Sequence, residues 1–199
     1  DVTIEGFANH AGTTAMVDRH DALLSASRFV EAVNRIVTAT PGRQVGTVGR
    51  IQAFPGATNV IPGRVECTLE LRELDGDKLT RLMSEIRQDA ERIGKMNGTT
   101  FTFRASSTDH QAALSDPAVR AHIAAAAKLL GLSTRQMPSG AGHDAQNMAR
   151  IAPMGMIFIP SAGGISHSPR EYSTPGDVAN GVNVLLHALL AADSAFQEK

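Results

Sequence analysis

Residues 9–14, Asn-His-Ala-Gly-Thr-Thr, could do acid–base or hydrogen-bonding chemistry, because His10 stands among small side chains in a predicted loop. An accessible imidazole titrates near neutral pH and can either donate or accept a proton. Loops on a folded scaffold commonly carry functional side chains. The alternative is a turn in which Asn9 and His10 only hydrogen-bond to the backbone. Both interpretations are compatible with the residues of this loop.

A second group of candidates combines an asparagine in a turn with an arginine at a strand end. Asn59 lies within the turn-rich residues 58–63, and Arg72 follows an apolar alternation that predicts a strand over residues 65–71. A guanidinium can clamp a carboxylate with two parallel hydrogen bonds, and an asparagine amide both donates and accepts. The alternative, which the residues alone favour, is a solvated arginine at a sheet edge beside an ordinary turn asparagine.

Two glycine-containing loops in the second half carry further candidates. Residues 139–144, Ser-Gly-Ala-Gly-His-Asp, precede a short helix, so main-chain N–H groups around Gly142 could hold an anion, although Asp144 could equally be a simple helix cap. The glycine pattern of this loop is not interpreted as a dinucleotide-binding motif, because a polar stretch rather than a strand precedes it. His167, in the loop at 163–171, could be a metal ligand, a base or a polar loop residue. Zinc needs about three or four protein ligands, so His167 alone cannot hold it.

The predicted strands and helices around His10, Asn59 and Arg72 follow the order β-α-β-β-α-β. Period-two alternation predicts strands at 2–7, 45–54, 65–71 and 99–104, and helical periodicity predicts helices from the cap at Asp18 or Asp21 to Pro41 and from 75 to about 97. This order predicts a ferredoxin-like α+β domain over residues 1–112, a four-stranded antiparallel sheet with two helices on one face. The free edges of such a sheet can pair with a second copy.

The second half has a different pattern of predicted elements. Helices are predicted at 116–130, 144–149 and 175–195, and a buried strand is predicted at the apolar run 154–159. A single strand has no partner within this segment. We therefore expect residues 113–199 to form the C-terminal part of an α/β catalytic domain whose other strands lie upstream of Asp1. The chain starts in strand-like sequence without a leader pattern, as expected for a piece of a longer protein. The remaining histidines are interpreted as structural: His20, His110, His122 and His187.

The composition excludes several classes of protein. A formal net charge of -1 argues against a general nucleic-acid binder, which would carry a basic excess. The sequence contains no window of about 18 apolar residues, so we expect no membrane span. A single Cys excludes an internal disulfide and a cysteine-rich zinc module, and it fits a reducing, cytoplasmic setting.

Taken together, the motifs resemble the N-carbamoyl-L-amino acid hydrolase family. Its relatives are allantoate amidohydrolase and β-ureidopropionase, within the dinuclear-metal amidohydrolase and aminopeptidase superfamily. The resemblance covers nearly the whole chain and rests on four motifs in order: residues 9–14 with Met16, Arg19, Asp21 and Ala22; residues 58–63 with Arg72; residues 139–146; and residues 164–169 with Glu171. Two positions depart from the family pattern, namely Ala15 in place of a usual proline and Glu70 in place of a common aspartate.

The resemblance implies a role for each candidate residue. The ferredoxin-like domain would be a lid that also forms a homodimer, with His10 reaching across the dimer to polarise the scissile carbonyl and stabilise the oxyanion. Asn59 and Arg72 would hold the carboxylate and neighbouring polar groups of the substrate. The main chain of Gly142 would touch substrate, and His167 would be the last metal ligand.

The resemblance also implies the chemistry, the hydrolysis of the ureido C–N bond of N-carbamoyl-L-amino acids or allantoate-like substrates with two divalent ions. Zinc, manganese, cobalt and nickel all suit histidine and carboxylate ligands. The family's other four ligands and its catalytic glutamate are expected upstream of Asp1, so we expect this chain alone to retain no metal and to be inactive. Two alternatives remain, a dimerising or small-molecule-binding ferredoxin-like module without catalysis, and a dipeptidase or deacylase of the same superfamily.

Overall fold

The computed structural model describes residues 1–105 and 112–197, apart from the side chains of 195–197. The chain divides into two compact units, Asp1–Ala112 and Ala113–Lys199. His110, which the sequence analysis interpreted as structural, lies outside the described residues.

The first unit follows a β-α-β-β-α-β order with one extra two-residue ladder. Its elements are β1 (Val2–Glu5), β2 (Asn9–His10), α1 (Ala22–Ala39), β3 (Val45–Phe54), β4 (Val60–Ile61), β5 (Arg64–Arg72), α2 (Gly76–Asn97) and β6 (Thr100–Phe103). The four long strands form one sheet in the order β3-β5-β1-β6, and each neighbouring pair is antiparallel. The ladder between β2 and β4 is separate from this sheet, and the sequence did not predict it.

One face of the sheet and both helices enclose the core of this unit. Alternation places Val2 and Ile4 of β1 opposite Cys67 and Val65 of β5, and all four side chains are buried. From the helices, Phe29 of α1 is fully buried and contacts the rings of two phenylalanines in β6. Burial raises the pKa of the Cys67 thiol, so this cysteine acts as a small apolar side chain.

Aspartate caps set where the helices begin. The Asp21 carboxylate accepts from the amides of Leu23 and Leu24, which identifies Asp21 rather than Asp18 as the cap of α1. Asp75 caps α2 in the same way, and α2 ends at Gly98, whose φ of 64° is the left-handed conformation that favours glycine at a helix end.

The second unit is helical in its described residues. It contains α3 (Pro117–Leu129), α4 (Ala145–Met148) and α5 (Pro175–Gln197), with a short 3-10 turn at Ala162–Gly164. Helices α3 and α5 pack through a small core: Ala126, Ala127, Val184 and Ala188.

The strand predicted at residues 154–159 is wrong, because none of these residues forms a strand. An apolar run indicates burial, but a strand also needs a neighbouring backbone to complete its hydrogen bonds. Here the Met154 carbonyl accepts from the amide of Asp116 at 2.8 Å, and Phe158 and Ile159 stay exposed. Within the described residues, no helix combines the length and the apolar character that crossing a bilayer requires.

Candidate functional site

The ladder between β2 and β4 brings two of the predicted site residues together. Asn9 lies opposite Ile61 and His10 opposite Val60, and the Ala11 amide donates to the Asn59 carbonyl at 2.8 Å. His10 and Asn59 are both exposed. The structure therefore places the backbones of two exposed residues, His10 and Asn59, on neighbouring segments, although 49 positions separate them along the chain.

A hydrogen bond to the backbone defines which nitrogen of His10 can donate. The Gly12 amide donates to Nδ1 of His10 at 3.0 Å. Because an amide hydrogen occupies this contact, Nδ1 must be the unprotonated nitrogen, and the neutral ring carries its hydrogen on Nε2. His10 is therefore suited to donate a hydrogen bond from Nε2 to an oxygen that gains negative charge.

Arg72 lies at the opposite end of the same unit. It is the last residue of β5 and pairs with Val45, whereas Arg64 at the other end pairs with Phe54, next to the ladder that carries Asn59. At roughly 3.3 Å per residue, the nine-residue strand separates the two ends by about 26 Å. Within one chain, the structure does not bring Arg72 to His10 and Asn59.

The Arg72 side chain already contacts a carboxylate. Its Nη2 lies 2.7 Å from Oε1 of Glu70, two residues earlier on the same face of the strand. Both side chains are exposed, so this pair adds little to stability and can rearrange when another carboxylate arrives. Its position at the exit of a strand agrees with the sequence prediction.

A partly buried polar cluster, which the sequence analysis missed, anchors the backbone next to Arg72. Glu73 and Lys78 form an ion pair at 2.7 Å, with only 12% and 17% of their side chains exposed. Lys78 also donates to the Gln44 side chain, and Gln44 donates to the Val37 carbonyl at the end of α1. We name Glu73, Lys78 and Gln44 the anchor cluster, because it ties the end of β5 to α1 and α2.

We expect Lys78→Met to lower the free energy of unfolding by about 2 kcal/mol at neutral pH, because it leaves the Glu73 carboxylate without its charged partner. The hydrogen bond from Lys78 lowers the pKa of Glu73 below its ordinary value of 4.5. The contribution is therefore complete above that value and is lost as the pH falls through the lowered pKa.

Urea unfolding of the wild type and Lys78→Met as a function of pH measures this effect. The difference should shrink in acid, and Lys95→Met, at an exposed lysine of the same helix, should change stability by less than about 0.5 kcal/mol at either pH. A loss for Lys78→Met that is the same at neutral and acidic pH would contradict the prediction.

The loop that carries Gly142 contains a compact set of hydrogen bonds. The Ser139 hydroxyl and Nε2 of His143 lie 2.5 Å apart, the Ala141 amide donates to the Ser139 hydroxyl, and the His143 amide donates to the Gln146 side chain. The His143 ring also stands edge-on to Phe158, with ring centroids 5.7 Å apart. Gly142 itself is exposed between these contacts, so its main chain is accessible. Asp144 precedes α4, but its side chain makes no capping hydrogen bond.

His167 has an unusual backbone conformation for a residue with a side chain. Its φ is 55°, in the left-handed region, and its amide donates to Oε2 of Glu171 at 2.8 Å. His167 is exposed to solvent. Throughout residues 1–105 and 112–197, no group of three or more histidines, cysteines, aspartates or glutamates could hold a metal ion. The described residues therefore do not fit a complete metal centre, and His167 is suited to be a single ligand of one.

Comparison with known proteins identifies the family to which this chain is related. Residues 5–191 match the model of peptidase family M20/M25/M40. The chain belongs to this family. The ureidoglycolate hydrolase of Oryza sativa is 40% identical over 189 residues, and the N-carbamoyl-L-amino acid amidohydrolase of Geobacillus stearothermophilus is 38% identical over 187. The resemblance to N-carbamoyl-L-amino acid hydrolases and allantoate amidohydrolase is thereby confirmed.

A solved structure extends the comparison to the fold. A hydantoinase/carbamoylase family amidase from Burkholderia multivorans superposes with a TM-score of 0.84 and 39% identity, covering 96% of this chain and 46% of that one. The chain likewise covers 39% of the Oryza sativa protein and 45% of the Geobacillus stearothermophilus protein. It thus spans less than half the length of these relatives and resembles the C-terminal part of the solved amidases.

Proposed function

We propose that this chain supplies the substrate-binding lid, of ferredoxin-like fold, and the C-terminal catalytic segment of a metal-dependent amidohydrolase. Its substrates would be N-carbamoyl-L-amino acids or allantoate-like ureido compounds. The observation that carries the proposal is the match over nearly the whole chain to relatives with those names, with His10, Asn59 and Arg72 all exposed. We use "assembled enzyme" for the homodimer that also contains the metal-binding and general-base residues expected outside these 199.

The family implies two divalent ions, which supply activation of water when they are bound. Of the candidate residues only His167 would ligate one, and the other ligands are expected from outside this chain. What this chain contributes is recognition of the substrate and stabilisation of charge.

Arg72 and Asn59 bind the substrate, and His10 stabilises the negative charge that develops on the substrate oxygen. The Arg72 guanidinium holds the substrate carboxylate with two parallel hydrogen bonds, and the Asn59 amide adds a donor and an acceptor. Water adds to the ureido carbonyl carbon while Nε2–H of His10 donates to its oxygen, which becomes an oxyanion. A preorganised donor of this kind is worth about 3–4 kcal/mol in the transition state. The C–N bond then breaks as the leaving amine takes up the proton that the water released, and carbamate leaves and decomposes to carbon dioxide and ammonia.

The position of Arg72 supports a site built from two copies of the chain. A carbamoyl amino acid is far shorter than the length of β5, so Arg72 and His10 of one chain cannot grip the same molecule. Strand β3, with ten residues, is the long edge of the sheet. If two β3 edges pair antiparallel about a twofold axis, the Val45 end of one lies beside the Phe54 end of the other. Arg72 of one copy then lies on the same side as His10 and Asn59 of the second copy.

A hybrid dimer tests this arrangement. Co-expressing His10→Ala and Arg72→Met versions of the assembled enzyme with different affinity tags yields dimers in which one site has both defects and the other has neither. Purification through both tags isolates the hybrids, which have one intact site of two, so we expect about half of wild-type activity, although each variant alone is nearly inactive. If His10 and Arg72 of the same chain served one site, every site would carry a defect and no activity would return.

The 199-residue chain alone should show no turnover of N-carbamoyl amino acids in the presence of manganese, zinc, cobalt or nickel. The reason is that it lacks a complete set of ligands among its described residues. Release of ammonia and amino acid is the measurement, and N-acyl amino acids and dipeptides tested in parallel cover the other activities of the superfamily. Turnover above background on any of these substrates would contradict the proposed division of the site.

A further inference from the structure

An arginine with no place in the proposed chemistry holds the loop that carries His10. Arg19 donates from Nη2 to the Ala11 carbonyl at 2.6 Å and to the Thr14 carbonyl at 3.1 Å, and from Nε to the Thr14 carbonyl at 3.2 Å. The side chain is half-buried, so these contacts are sheltered from competing water. The planar guanidinium thus fixes carbonyl groups on both sides of Gly12.

The same loop determines how the imidazole is oriented. The His10 carbonyl accepts from the Thr14 amide at 3.1 Å and from the Thr14 hydroxyl at 2.8 Å, which closes the loop on itself. Gly12 lies between these contacts with its amide 3.0 Å from Nδ1. A methyl group at Gly12 would stand 3.2 Å from Cε1 of the ring, so the ring leaves little room for a side chain at this position. Because the contact with Nδ1 depends on where the Gly12 amide lies, a displacement of Gly12 would break the hydrogen bond that keeps Nδ1 unprotonated.

We propose that Arg19 is a positioning residue for His10. By holding the carbonyls of Ala11 and Thr14, it keeps the Gly12 amide against Nδ1 and so keeps the Nε2–H hydrogen available to the substrate oxygen. The effect that we expect from Arg19 on catalysis rests on the proposed function. The position of the imidazole hydrogen, however, is a property of this chain that can be measured without turnover.

Nitrogen-15 NMR of histidine-labelled 199-residue chain tests the inference directly at a pH where His10 is neutral. We expect an unprotonated Nδ1 and a protonated Nε2 in the wild type, and a shift towards a mixture of the two tautomers in Arg19→Met. Arg28→Met is the matched control, because Arg28 lies on α1, contacts Asn97 and should leave the His10 signals unchanged. A hydrogen on Nδ1 in the wild type, or the same His10 signals in Arg19→Met, would overturn the inference.

Kinetics of the assembled enzyme separate positioning from a general loss of structure. We expect Arg19→Met to lower kcat about tenfold with KM within about twofold, since misplacing a reacting group costs rate more than binding. Arg19→Lys should recover part of the rate because an ammonium still reaches one carbonyl. In a His10→Ala background, Arg19→Met should have no further effect, because its effect passes through the missing ring.

The outcomes distinguish the two proposals. If His10→Ala leaves turnover unchanged, the proposed function fails, and the NMR experiment still decides the role of Arg19. If His10→Ala lowers kcat and Arg19→Met lowers it by an equal further factor in that background, Arg19 does not act through His10. Should Arg19→Met fail to fold, Arg19→Lys serves in both experiments, with a smaller tautomer shift and a several-fold loss of kcat as the expected results.

Discussion

In the assembled enzyme, His10→Ala should lower kcat by about 100- to 1000-fold while KM stays within about twofold. The expected size is that of removing one preorganised donor from an oxyanion site. The effect falls on kcat because the hydrogen bond from Nε2 strengthens only as the ureido oxygen gains charge. Steady-state rates of amino acid release with an N-carbamoyl amino acid give both constants.

Two variants show whether the lost group is a donor. His10→Gln keeps an N–H group at the end of a side chain of similar length, so it should recover part of the rate, whereas His10→Leu should behave as alanine does. Both should keep the melting temperature of the wild type, since His10 is exposed. Equal rates for the glutamine and leucine variants would remove His10 from the role of donor.

The second large effect is expected on binding. Arg72→Lys should raise KM about 10- to 100-fold with a smaller change in kcat, because lysine keeps the charge but loses one of two charge-assisted hydrogen bonds to the substrate carboxylate. A ureido substrate that lacks the carboxylate provides the matched test. The wild type should strongly prefer the carboxylate substrate, and Arg72→Lys should lose most of that preference.

The neighbouring carboxylate supplies the control for Arg72. Glu70→Gln removes the charge that Arg72 contacts at 2.7 Å but leaves the guanidinium in place, so KM should change by no more than about threefold. An Arg72→Lys enzyme with the KM of the wild type would exclude Arg72 from the carboxylate site.

The regular elements of the first unit could be predicted because their signals are local. Strand β3 has the predicted bounds, and Asp75 caps α2 as its position before an apolar stripe indicates. The strand predicted at 154–159 was wrong because a strand depends on a partner that is not local in sequence. Six apolar residues indicate a buried segment, but no property of those residues specifies which backbone, if any, lies beside them.

In the candidate site, the residue types could be predicted from the sequence, whereas their arrangement in space could not. His10, Asn59 and Arg72 could be chosen from chemistry and from a family resemblance, but their spacing in three dimensions could not. The ladder between β2 and β4 has two residues on each side, too few to show a period, and it brings the segment of His10 next to that of Asn59. The contacts of Arg19 with the Ala11 and Thr14 carbonyls carry no sequence signal, because a carbonyl is common to every residue.

The left-handed backbone of His167 narrows the replacements that evolution or an engineer can use there. Outside glycine, asparagine and aspartate are the residues that adopt this conformation at least cost. Cysteine and the carboxylates are the usual substitutes for a ligating histidine. If His167 is the metal ligand that we propose, aspartate is the replacement expected to keep both this backbone conformation and a ligating side chain.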